Sequence, residues 1–255
     1  MSHWLQRLAP RPDAPRRLIC LHHAGGSAAS FRLWPARLPG FDVCAVQLPG
    51  RANRFSEAPL TDLRAVVDAL VPVVQPLLDR PCVFFGHSMG TMIACELARR
   101  MQLVGTRQPL HLFVSGRQPP HRPFPELSMD GLSDAAVIDA VQRHFGGLPP
   151  EVLATPELLE MMLPILRADF ALLESHRPAL PSPLALPIVA LGGDADPWAA
   201  PERLSQWQAW TTRPLRMHRF AGGHFYLDER LDEVLAVLRA ECPVPAANAL
   251  AGDLA

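Results

Sequence analysis

Six short apolar runs punctuate the chain, each bounded by Gly, Pro or Asp. They are RLICLH at 17–22, DVCAVQL at 42–48, CVFFG at 82–86, HLFVS at 111–115, PIVALG at 187–192 and LRMHRF at 215–220. Most are continuously apolar rather than alternating, the pattern of strands covered on both faces. Helix-like segments lie between them. The segment 61–79 begins at Thr61, a favoured N-cap residue, with Asp62 in its first turn. Others are expected at 89–103, 200–210 and 228–240. Strand and helix in alternation predict an α/β fold with a mostly parallel central sheet and helices on both faces.

One interval breaks the rhythm. About 70 residues separate the strand at 111–115 from the strand at 187–192, where one crossover helix needs only about 20–25. The surplus carries at least two helical patterns, LSDAAVIDAVQRHFG at 132–146 and TPELLEMMLPILRADFALLESH at 155–176. Ser133 stands in N-cap position and Gly146–Gly147 ends the first of them. This predicts a helical insertion over one sheet edge, a lid covering about 120–180, within one domain spanning 1–241. Residues 242–255 (CPVPAANALAGDLA) are Pro/Ala-rich with no periodic apolar face, and a flexible tail is expected there.

GHSMG, with Gly86 and Gly90 flanking Ser88, is the first stretch that carries chemistry. A serine at the tip of a sharp strand-to-helix turn sits in strained backbone, and the chains beside it approach closely. Glycines two residues to either side remove the clashing Cβ atoms. The turn also aims the first amides of the following helix, that of Met89 included, at the space where negative charge develops. A serine hydroxyl needs a base. His87 is its sequence neighbour, but adjacent side chains at such a turn diverge. His224, in FAGGHFYL at 220–227, follows a strand and a glycine pair that allow a loop to fold back over the sheet end. The carboxylate is expected between them in sequence. LGGDADPW at 191–198 supplies Asp196, preferred because it precedes Pro197 and starts a turn, with Asp194 as the alternative; either Asp serves equally as a turn stabiliser. The second half of an oxyanion hole is expected in HHAGG at 22–26, from the backbone N–H of Ala24 or His23. A metal at His22–His23 is not expected, since adjacent strand residues face apart and no Cys, Asp or Glu cluster joins them.

Composition narrows the picture further. The 255 residues carry a net charge of −1, so no basic surface recommends nucleic acid and no strong field recommends an anionic membrane. No run approaches the roughly 18 apolar residues of a membrane span, and the N-terminus lacks the apolar core of a signal peptide. Cys20, Cys44, Cys82, Cys95 and Cys242 have no zinc-site spacing and are read as free buried thiols. A cytoplasmic monomer without cofactor or metal is expected.

Together these motifs resemble the type II thioesterases, the stand-alone editing α/β-hydrolases that accompany polyketide synthases and nonribosomal peptide synthetases. The matching stretches are LICLHHAGGSAASF at 18–31, VQLPGRANRFSE at 46–57, VFFGHSMGTMIACELA at 83–98 and SGRQPPH at 115–121. HFGGLPPEVL at 144–153, LPILRADFALLE at 163–174, LGGDADPW and FAGGHFYL complete the set. The resemblance implies an α/β-hydrolase fold and the hydrolysis of acyl thioesters on the phosphopantetheine arm of carrier proteins. It implies Ser88, Asp196 and His224 as the triad and the insertion as a lid over an acyl channel. The sequence departs from the family at Leu21–His22, where an aromatic–proline pair is usual, so a fixed φ is lost from the oxyanion loop. Triad chemistry does not separate thioesters from oxyesters, so a small-molecule esterase or lipase, or a non-catalytic binding protein, remains an alternative. Arg51 and Arg54 are expected in a solvated loop; the other reading has them contacting an acidic carrier or its phosphate arm.

Overall fold

The apolar runs become strands because each one serves two cores at once. In a computed structural model describing residues 3–122, 128–176 and 180–243, the sheet order is β1-β3-β2-β4-β5-β6-β7. The strands are β1 (Leu5–Arg7), β2 (Arg16–Leu21), β3 (Phe41–Val46), β4 (Cys82–His87), β5 (His111–Ser115), β6 (Ile188–Gly193) and β7 (Arg216–Phe220). All neighbours are parallel except β1, which runs antiparallel to β3. The helices are α1 (Trp34–Arg37), α2 (Leu63–Val74), α3 (Met89–Leu103), α4 (Asp134–Phe145), α5 (Pro150–Leu153), α6 (Pro156–Glu174), α7 (Pro201–Leu204), α8 (Tyr226–Glu229) and α9 (Leu231–Glu241).

Alternate residues of a strand point to opposite faces. Ile19 and Leu21 of β2, Phe84 of β4 and Leu112 and Val114 of β5 join a core shared with α2, α3, α4 and α6. Leu18, Cys20, Val83, Phe85 and Phe113 face a second core closed by Phe31, Trp34 and the α9 residues Val234, Leu235 and Leu238. The continuous apolar reading of the runs follows from this two-sided burial.

Six strands agree with the sequence reading. β1 was not foreseen. It has only three half-buried residues and no apolar run, so pairing with β3, not its own composition, makes it a strand. The cap of α2 is corrected from Thr61 to Asp62, whose side chain accepts the Arg64 N–H. That helix stops at Val74, and a tighter 3₁₀ turn, Gln75–Asp79 with Pro76 in its first turn, replaces its expected end. Ser133 caps α4 and Gly146 ends it at φ 62°, as expected. Between β5 and β6 the described residues form α4, α5 and α6, in keeping with the expectation of at least two helical segments. The tail boundary also shifts. Cys242 is 1% exposed and packs in the second core, so the folded part reaches at least that residue, while 244–255 lie outside the described residues.

Candidate active site

β4 ends at His87 and α3 begins at Met89, so Ser88 makes the turn by itself. Its backbone angles, φ 53° and ψ −114°, lie where side-chain-bearing residues are strained. Close packing holds it there. A Cβ on Gly86 would overlap the Gly90 carbonyl, and one on Gly90 would overlap the Leu21 carbonyl at the end of β2. The Ser88 N–H donates to the Ser115 carbonyl at 2.8 Å. The Thr91 hydroxyl spans the turn, facing the Gly86 carbonyl at 2.8 Å and the Ser115 carbonyl at 3.0 Å. Ser88 therefore stands at the mouth between β2 and β4, where the chain reverses its progress across the sheet. Ligands gather at such switch points.

Asp196 lies three residues past β6, and His224 four past β7. Their loops are laced together: the Asp194 N–H donates to the Phe220 carbonyl at 2.8 Å and the Ala195 N–H to the Gly222 carbonyl at 2.9 Å. His224 Nδ1–H donates to Asp196 Oδ2 at 2.8 Å, with both side chains almost fully buried. The other carboxylate oxygen accepts the Trp198 N–H at 2.9 Å, capping the turn Pro197–Ala199. The two roles weighed for Asp196 are thus divided between its two oxygens. With Nδ1 holding the proton, Nε2 of the neutral ring keeps a lone pair. Asp194 faces outward, with a 57% exposed side chain paired to Arg219 at 3.0 Å.

Ser88, His224, His23 and Ala24 line one chamber of about 270 Å³. Its far wall is apolar and comes from the helices between β5 and β6 and the link joining α4 to α5: Val141 and Phe145, Leu148 in the link, Val152, and Met162, Leu166 and Phe170. Among the described lining residues the charged side chain is Arg117. Burial pushes its guanidinium down to about 9, still protonated at neutral pH. Met89 opens α3 and is buried, so the first amides of that helix look toward the serine turn. Within the loop 22–26, His22 Nδ1–H donates to the His23 carbonyl at 2.8 Å. Burial holds the His22 imidazole well below its usual pKa, so it stays neutral.

A buried chain supports the site from behind. His87 Nδ1 is 2.9 Å from Ser115 Oγ, which is 2.6 Å from the Tyr226 hydroxyl. The His87 ring centre lies 5.1 Å from that of His224. Burial above all depresses the His87 pKa well below its ordinary value. Sequence reading set His87 aside and did not find Ser115 or Tyr226 as partners, because their convergence depends on strand register (His87 pairs with Ser115).

The expectation of a solvated loop for Arg51 and Arg54 is corrected: they are 3% and 5% exposed. Arg54 forks onto Glu57 and donates to the Gln47 carbonyl at 3.0 Å. Arg51 makes a two-point pair with Asp169 on α6, each contact 2.7 Å.

A family model described as a thioesterase domain matches residues 16–242. The chain is 37% identical to the linear gramicidin dehydrogenase LgrE of Brevibacillus parabrevis, over 94% of this chain and 92% of that protein. It is 35% identical to the thioesterase PikA5 of Streptomyces venezuelae, over 91% of this chain and 82% of that one. Among solved structures it superposes on BorB, a type II thioesterase from the borrelidin biosynthetic cluster. There the TM-score is 0.84 and the identity 38%, covering 93% of this chain and 96% of BorB.

Proposed function

Because the chain belongs to the thioesterase family, we propose that Ser88, His224 and Asp196 carry out the thioester hydrolysis characteristic of that family, on acyl groups held by a carrier protein. The fold is that of the α/β-hydrolases, and the enzyme class is a thioester hydrolase. The observation that carries the site reading is the buried 2.8 Å His224–Asp196 bond opening onto the same chamber as the strained Ser88.

The chemistry follows from these positions. Ser88 Oγ attacks the thioester carbonyl as its proton passes to His224 Nε2, and Asp196 stabilises the imidazolium that forms. The carbonyl oxygen becomes an oxyanion, met by the amides of Met89 and of Ala24 or His23. Collapse breaks the C–S bond, and the carrier thiol leaves with the proton from His224. Water then attacks the acyl-serine, gives its proton to His224, and the acid is released as Ser88 recovers its own proton. A thiol with a pKa of about 8.5 needs little acid help to leave.

The apolar wall supports an acyl chain as the group bound beyond the carbonyl, and the helices carrying it act as the lid foreseen over 120–180. The carrier is a phosphopantetheine-bearing domain of a polyketide or nonribosomal peptide synthase, and the enzyme clears aberrant or stalled acyl groups from it as a cytoplasmic monomer. Similarity to BorB and PikA5 supports that setting. The word dehydrogenase in the name of LgrE describes that protein; the groups lining this chamber are suited to acyl transfer.

The test is a panel of acyl-loaded carrier proteins beside the matching free thioesters and simple oxyesters, with wild-type and Ser88→Ala protein. Carrier-bound acyl groups are expected to be cleaved fastest, and Ser88→Ala is expected to be inert. Equal rates on carriers and free esters overturn carrier recognition, and an active Ser88→Ala protein overturns the mechanism.

A further inference from the structure

The loop leaving β2 contains His23 and Ala24, the oxyanion donors proposed above, and the next two residues are held by groups distant in sequence. The Gly25 N–H donates to Asp169 Oδ2 at 2.8 Å. The Gly26 carbonyl accepts from Arg51 Nη1 at 3.2 Å. Arg51 and Asp169 close the triangle through Nη1–Oδ2 and Nη2–Oδ1, both 2.7 Å. The Pro49 carbonyl accepts Arg51 Nε at 3.3 Å, so the guanidinium is itself aimed by the segment after β3. The side chains are 4% and 0% exposed.

Stability alone does not account for such a pair. Removing two charges from water offsets most of their attraction, and well-packed apolar residues often serve as well. What apolar residues lack is the power to fix one N–H and one carbonyl of a particular loop. Asp169 sits on α6, whose Met162, Leu166 and Phe170 line the acyl chamber. Gly25 adopts φ +75°, and a Cβ there would lie 2.9 Å from Leu166, so the loop backbone rests on that helix. The loop also carries His22 where a proline would have fixed φ.

We propose that Arg51 and Asp169 are positioning residues for acyl transfer. Their pair holds loop 23–26 with its amides facing the oxyanion, and makes that alignment depend on α6 being seated against the core. Neither residue touches substrate. The inference rests on the function proposed above for Ser88, His224 and the loop amides.

The decisive variant is Arg51→Met/Asp169→Leu, which removes both charges and strands neither. Wild type and variant are compared on an octanoyl N-acetylcysteamine thioester, with thermal unfolding alongside. A trifluoromethyl ketone, which forms an oxyanion on the serine, is tested as inhibitor. A cooperatively folded variant is expected whose kcat falls about 10²-fold while KM stays within about threefold. Ketone affinity should fall by a similar factor, since only the tetrahedral species uses the aligned amides. A folded variant with wild-type kcat and ketone affinity overturns the proposal. Should the double variant not fold, Arg51→Lys, which keeps the charge and loses the fork, is read the same way: kcat lowered at constant KM supports the role and unchanged kcat overturns it. Failure of the underlying function shows on other samples. Wild type inert towards both the free thioester and the same acyl group on a carrier protein, or Ser88→Ala as fast as wild type, overturns both readings, whereas active wild type with unimpaired pair variants overturns the positioning role alone.

Discussion

The Cα of Gly90 lies so close to the carbonyl oxygen of Leu21 that a Cβ at Gly90 would overlap it. This contact joins the helix that follows Ser88 to the strand end from which the loop 22–26 departs. It sets how far apart two parts of the site can stand. Gly90→Ala should therefore shift β2 against α3 and lose activity together with stability, by about 1–3 kcal/mol, the usual cost of overpacking. Gly223→Ala is the control: it adds a methyl in open space within the His224 loop and should change stability by less than about 0.5 kcal/mol. Urea unfolding of the two variants beside wild type checks both values.

The two candidate aspartates separate by a single comparison. Asp196→Asn keeps size but disturbs the acceptor for His224 Nδ1–H, and kcat should fall by about 10³–10⁴-fold. Asp194→Asn breaks only a surface pair with Arg219 and should stay within about twofold of wild type. Steady-state kinetics on one thioester decides it, and the reverse ranking would reassign the acid.

Val152 lines the chamber from α5. Val152→Trp should shorten the acyl chains that fit. Each methylene left unburied forfeits about 0.8 kcal/mol, or about fourfold. Relative kcat/KM for dodecanoyl against propionyl thioesters should drop by about tenfold or more, with the propionyl rate nearly unchanged. A uniform loss across chain lengths would place the acyl group elsewhere.

His87 is buried and its folded-state pKa is depressed below the unfolded value of about 6.5. The unfolded chain therefore binds the extra proton first as pH falls. The stability owed to keeping His87 neutral is full above about pH 6.5 and declines below it. Thermal midpoints between pH 7.5 and 5 should fall, and His87→Gln should flatten that slope, by up to about 1.4 kcal/mol per pH unit. An unchanged slope would mean that the group titrates normally in the fold.

All five cysteines are free and buried. Burial pushes the thiol of Cys44 up to about 11 and that of Cys242 up to about 12, and raises Cys20, Cys82 and Cys95 as well. A thiol reagent at neutral pH should find almost none in the native protein and five after denaturation. Alkylation in the native state at several sites would contradict this packing.

The order of elements, the serine turn and the serine–aspartate–histidine sequence were legible because each has a local cause. Apolar runs report burial on both sheet faces. Glycines flank Ser88 because neighbouring backbone comes too close for a Cβ, and Ser133 and Gly146 mark helix ends by capping chemistry. Strand β1 was not legible, since its three residues owe their conformation to β3. Nor was the fate of Arg51: an arginine among turn residues reads as solvated until its carboxylate partner is known, and Asp169 lies 118 positions away.

By itself, then, the sequence determined the alternating α/β layout, the Ser88 turn and its glycines, the His224 loop, and the aspartate-bearing turn, each marked by residues within a few positions of one another. Tertiary structure bore out the sequence preference for Asp196 over Asp194 as the residue facing His224, and alone decided that His87, Ser115 and Tyr226 form one buried chain and that Arg51 reaches α6. Those outcomes depend on which loops pack together at the sheet edge. A side chain's partner there is fixed by strand register and burial, which no local pattern encodes.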